Sequence, residues 1–141
     1  MKTLITPYRH FFERIISYAL MLLFVYAATT KLLEWHMFYD TLLNSPWVPG
    51  STLALVLAIG IIITELLIAL GLLLHYRWSL YGSLFLLVVF TAYVSYLLLR
   101  DSPLPCSCGG VLSLLSWPQH LYFNSFWILM NLLGLRLYPK T

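Results

Sequence analysis

Two cysteines, Cys106 and Cys108, stand one residue apart in the run Pro105-Cys106-Ser107-Cys108-Gly109-Gly110, and the chain has no others. Thiols so placed can exchange electrons as a dithiol, help hold a metal, or sit inert at a turn. In an extended chain, residues i and i+2 lie about 6.6–7.2 Å apart. A disulfide usually joins α-carbons about 4.4–6.8 Å apart. Closing this ring therefore needs a bent backbone, which Pro105 and Gly109-Gly110 favour. A strained, exposed disulfide belongs to the labile or catalytic kind. Two thiolates do not complete a tetrahedral zinc site, and His120 is the only imidazole near them in sequence, so no metal is expected. Redox-active and inert cysteines both stay open on spacing alone.

Three further sets of residues could carry chemistry. Glu65 is the only charge in a long apolar run. Nine residues of helix at about 1.5 Å each place it about 14 Å deep, near the middle of a bilayer. A charge there is costly and must face protein and be paired or protonated. It suits a proton or quinone site, or a buried hydrogen bond that sets helix register. Asn131 and Thr91 lie at similar depth on neighbouring runs. Lys31, Glu34, His36 and Asp40 form an outer-face cluster in which Lys31 and Glu34, three apart, can pair on one helix face; ordinary anchoring at the membrane surface is the plainer reading. His120 and Asn124 sit one turn apart. A nearby histidine can lower a thiol pKa and raise its thiolate fraction, and it can equally serve as a cap at headgroup level.

The elements that must position these residues are read from hydropathy. The 141 residues suffice for one domain. They are 61% hydrophobic and 9% charged, against about 45–50% and about 25% in soluble domains. A bilayer-crossing helix needs about 20 mainly apolar residues. Four runs qualify, at approximately 15–33, 52–74, 79–99 and 121–138. The expected fold is all-α: a bundle of four transmembrane helices forming a single membrane domain. The first run is longer than the roughly 7–15 residues of a signal-peptide core and lacks a clear cleavage site, so it is read as a retained span. The loop His75-Tyr76-Arg77-Trp78 makes spans two and three an antiparallel hairpin. The loop 100–120 holds the cysteines and then turns apolar at Val111–Trp117, which predicts a short interfacial or re-entrant helix between spans three and four.

Orientation follows from basic residues. Lys2, Arg9, Arg14, Arg77, Arg136 and Lys140 fall on one side, Lys31 and Arg100 on the other. The positive-inside rule then puts both termini in the cytoplasm and the cysteine loop on the non-cytoplasmic side of a bacterial inner membrane, where disulfides persist. The net charge of +3 forms no basic stripe, so nucleic acid is not an expected partner.

Three stretches resemble the DoxX/MauE superfamily of small four-span membrane proteins. They are Tyr26–Glu34 leading to Phe38 and Ser45-Pro46, the Glu-Leu-rich run Thr64–Leu73, and Pro105–Leu112 followed by Ser116-Trp117, His120-Leu121 and Phe123-Asn124. The last is similar to the MauE/DoxX-type redox-associated branch. The resemblance implies thiol-disulfide exchange with a periplasmic thioredoxin-like or disulfide-containing partner, carried by Cys106 and Cys108 and tuned by His120. A quinone is the candidate cofactor, with Glu65 handling it or a proton. The methylamine pathway is not carried over, because Gly110 stands where MauE-type sequences typically have an aromatic residue. The alternative is a non-catalytic membrane subunit that anchors or stabilises a larger envelope complex. Transport has little support, since no inverted repeat or broken helix is visible.

Overall fold

The computed structural model describes residues 2–100 and 114–139, and within them every element is a helix. The elements are α1 (Lys2–Leu33), α2 (Trp35–Leu43), α3 (Ser51–Leu73), α4 (Arg77–Leu99) and α5 (Trp117–Leu137). Three are long and apolar enough to cross a membrane: α1 from Pro7, α3 and α4. At 1.5 Å per residue, the 32 residues of α1 reach about 48 Å, well beyond a hydrocarbon core of about 30 Å. Helix α5 has 21 residues, about 31 Å. Its polar content keeps it from standing as a span on apolarity alone.

The helices pack as a closed ring, with α1 against α3 and α5, and α4 against α3 and α5. The buried stripe of α3 runs Ala54, Ala58, Ile62, Glu65, Ile68, Ala69 and Leu72, a three-to-four residue rhythm that keeps one helix face turned inward. Its other face exposes Val56, Ile59, Ile63, Leu67 and Leu70. The distribution is inverted relative to a water-soluble protein. Large apolar side chains face out, while Glu13, Ser17, Lys31, Glu65, Ser83, His120, Asn124 and Asn131 are buried. A lipid surround gives no reason to hide leucine and strong reason to hide polar groups.

One end of the ring is tied by polar contacts. Arg9 donates to the carbonyl of Arg136 at 3.1 Å, and the Tyr138 hydroxyl donates to the carbonyl of His75 at 2.7 Å. The Tyr18 hydroxyl meets the His75 ring nitrogen Nε2 at 3.2 Å. The start of α1, the α3–α4 turn and the end of α5 therefore share that end. The turn closes with the Tyr76 N–H on Gly71 O at 2.9 Å and the His75 N–H on Leu72 O at 3.2 Å. This is the paired bonding of a Schellman stop, with His75 in the left-handed position (φ 57°) that glycine usually fills.

The opposite end departs from the sequence expectation. A short helix does form beside the long ones, but α2 lies between α1 and α3; most of the 100–120 loop, where one was expected, falls outside the described residues. The chain bends at Glu34 (φ −103°, ψ 38°) and α2 folds back along α3. Ala28, Phe38, Ala58 and Ile62 form one buried cluster. The last turns of α1 thus lie beside the middle of α3 rather than beside its start.

The α3–α4 hairpin depends on Gly71. A Cβ there would lie 2.8 Å from Ser79 Cβ and 3.0 Å from the Trp78 ring, whereas one on Gly60 meets nothing within 4 Å. Gly71→Ala should cost about 1–3 kcal/mol through overpacking. Gly60→Ala should be neutral or gain up to about 1 kcal/mol of helix propensity. Thermal unfolding of both variants in detergent checks the pair.

Candidate functional site

Lys31 ends the first span by sequence, yet it is only 5% exposed. Because α1 stops alongside the middle of α3, the lysine meets Glu65: Nζ lies 2.8 Å from Oε1. Lys31 does not turn along its own helix to Glu34, and it is not part of a surface cluster. A second, longer bond runs from Nζ to Ala27 O at 3.4 Å. The ammonium also lies 5.4 Å from the Phe90 ring centroid and 5.7 Å from that of Phe38, within cation–π range. The pair is neutral overall, which makes the burial of both groups tolerable in an apolar surround.

The pair borders a cavity of about 270 Å³. Its walls are mostly apolar, from Phe24, Phe38, Leu42, Ile61, Phe90 and Val94, and its polar members include Lys31, Glu65, His120 and Asn124. Helix α5 supplies the last two. It opens on Ser116-Trp117-Pro118-Gln119, with the Gln119 side chain accepting from the Ser116 N–H at 2.9 Å and Pro118 in the first turn, where a missing N–H costs nothing. That start fixes the helix phase. His120 and Asn124, one turn apart, then face inward, with 3% and 6% exposure. Glu65 Oε2 and Asn124 Nδ2 are buried at the cavity with no hydrogen-bond partner among the described residues. Tyr93, reaching Ser45 Oγ at 3.4 Å, bonds α4 to the α2–α3 turn across the same cavity.

Lys31, Glu65 and His120 thus come together, although the sequence placed them in three separate groups. Asn131 stands apart. It meets α4 with its amide 2.6 Å from Ser83 Oγ. With the amide oxygen toward Ser83 Oγ and the Leu84 N–H (3.0 Å), and the nitrogen toward Leu80 O (3.1 Å), each amide atom is matched. That arrangement fixes the register of α5 on α4, the structural role open to it from the start. Thr91 bonds back to Leu87 O within its own helix. Glu34 lies at the α1–α2 bend and does not line the cavity. Cys106 and Cys108 lie outside the described residues. Among these residues no group of three or more His, Cys, Asp and Glu could hold a metal.

Sequence reasoning missed Glu13, which is buried (4%) and accepts from Ser17 Oγ at 2.8 Å. It precedes the run at 15–33 that hydropathy marks as the first span. The Glu–Ser spacing of four was the available signal, since it places both on one helix face.

Removing one member of a buried ion pair strands the other. Lys31→Met and Glu65→Leu should each destabilise the protein by about 3–5 kcal/mol, while the double variant recovers most of the loss. A double-mutant cycle by thermal unfolding in detergent reads the coupling, and additive losses would show that the contact contributes nothing.

No curated protein and no solved structure matches this chain. One family does: the methylamine utilisation protein MauE family matches residues 9–137. Since that match leaves only the two ends of the chain uncovered, the protein belongs to the MauE family of membrane proteins.

Proposed function

We propose that this MauE-family chain is an inner-membrane thiol-disulfide exchange component. Cys106 and Cys108 act on the non-cytoplasmic side on a thioredoxin-like or disulfide-containing partner. One observation carries most of the weight. The segment bearing both cysteines runs between α4 and α5, and the first turn of α5 delivers His120 to the cavity that holds the Lys31–Glu65 pair. A Cys-x-Cys pair in the segment that leads, in chain order, into a helix lining a buried charged site supports exchange chemistry over a mere anchor.

The topology follows the same proposal. Helix α5 runs from the Lys31 end of the ring to the His75 end, the same depth that α4 covers, and serves as the fourth span. Lys31 is consumed by its ion pair, which leaves Arg100 as the one basic residue at the cysteine end in the sequence count. The bias toward cytoplasmic termini is stronger for it.

A thiolate of the Cys106/Cys108 pair attacks one sulfur of the partner disulfide. A mixed disulfide forms, and the released partner thiolate takes a proton. The second cysteine then attacks the mixed disulfide, freeing the other partner thiol and leaving Cys106 joined to Cys108. Two electrons and two protons pass to the partner, and the reverse sequence carries them back.

In-cell labelling with a membrane-impermeant maleimide, before and after reduction, tests both side and chemistry. Labelling is expected at Cys106 and Cys108 from outside. Cys106→Ser or Cys108→Ser should trap a mixed disulfide with a partner while leaving membrane insertion intact. Normal exchange in both single variants would sink the proposal. A disulfide that forms without ever trapping a partner would mark a structural staple in a scaffold subunit.

A further inference from the structure

The cavity beside Lys31 has a composition that selects a ligand class, independently of the cysteines. It is neutral overall, because its ammonium and carboxylate are already paired at 2.8 Å. A charged ligand would enter an apolar space with no counter-charge left to meet it, which is costly. Its apolar walls include the rings of Phe24, Phe38 and Phe90. Phe123 also lines it, stacked edge-on against Trp127 at 6.1 Å between centroids. Aromatic walls favour a flat ring. At the polar end stand an acceptor, Glu65 Oε2, and a donor, Asn124 Nδ2, neither with a partner among the described residues and both on side chains more than nine-tenths buried. Buried polar atoms are almost always satisfied, and each one left alone costs about 1–3 kcal/mol. A ligand that accepts one hydrogen bond and donates another would satisfy both.

Size and access agree. Small-molecule sites run from about 300 Å³ upward, so 270 Å³ suits a single substituted ring and not a fused polycycle. Trp47 and Val89 border the cavity and are exposed, at 65% and 43%. The cavity therefore opens on the outer face of the helix ring, where an apolar tail can remain in lipid.

We propose that this cavity binds a quinone or its quinol, with the ring between the phenylalanines. A ring carbonyl oxygen accepts from Asn124, and a ring hydroxyl of the reduced form donates to Glu65. The proposal deepens the functional reading above by naming the small molecule its membrane site receives, but it stands on the cavity alone.

The test is equilibrium binding of a short-chain ubiquinone analogue, in oxidised and reduced forms, to the full chain in lipid nanodiscs. An alkylbenzene of matching ring and tail serves as the control. Saturable binding is expected, with the alkylbenzene at least about 10-fold weaker; a factor of ten corresponds to one hydrogen bond of about 1.4 kcal/mol. Asn124→Leu removes the unmatched donor without stranding a partner, so it should fold normally and weaken quinone binding about 10-fold while leaving alkylbenzene unchanged. Val94→Trp, which fills the cavity, should abolish both. The Cys106→Ser/Cys108→Ser double variant should bind like the natural chain, which separates this proposal from the exchange reaction. Absence of saturable binding, equal binding of the alkylbenzene, or binding untouched by both Asn124→Leu and Val94→Trp would overturn it.

Discussion

A lysine and a glutamate buried in an apolar surround cannot be placed independently. Once Glu65 sits on the inward face of α3, something must neutralise it, and Lys31 of α1 does so at 2.8 Å. That single requirement fixes the offset between α1 and α3. It explains why α1 ends beside the middle of α3, and it leaves the first half of α3 to be covered by another element. Helix α2 covers it, joining Phe38 to Ala28, Ala58 and Ile62. The cavity follows from the same offset, because the ion pair, the aromatic rings of α2 and α4, and the first turns of α5 converge there.

The inward polar residues divide the molecule by depth. Asn131 and Ser83 lock α5 to α4 with each amide atom matched, so they serve register and little else. Nearer the Lys31 end, Glu65 and Asn124 keep atoms with no partner among the described residues at an open space. Complete satisfaction rigidifies a packed interface, while a buried polar atom left unmatched beside a cavity calls for a partner there. At the opposite end, His75, Tyr138 and Arg9 clamp the helix termini, which holds the ring together away from the site.

Much of the fold was legible because apolar runs of span length have few other uses. The boundaries of α3 and α4 fall within about two residues of those read from hydropathy, a normal margin for helix ends. Glu65 was legible too, since a lone carboxylate in such a run needs a partner. Its partner was not. Lys31 follows Thr29-Thr30 at the end of an apolar run, where a lysine commonly marks the membrane surface. It is buried between Glu65 of α3, Phe90 of α4 and Phe38 of the back-folded α2, and a loop containing Pro46 and Pro49-Gly50 gives no hint of a nine-residue helix before it. The grouping of His120 and Asn124 with Lys31 was hidden for a related reason. It depends on which face of α5 meets α1 and α4, and a helix polar at both ends and in the middle has little periodicity to show it.

Helix α5 carries a consequence for how the protein is made. Its inward stripe of His120, Asn124 and Asn131, with Arg136 in its last turn, gives it little tendency to partition into lipid as an isolated segment. The other three long helices can enter the bilayer on apolarity alone. Helix α5 needs Ser83 and the backbone of α4 already in place before its amide groups have anywhere to go. Assembly is therefore ordered: α5 seats on a face that α1 and α4 have already formed, and His120 and Asn124 reach the cavity only when it does.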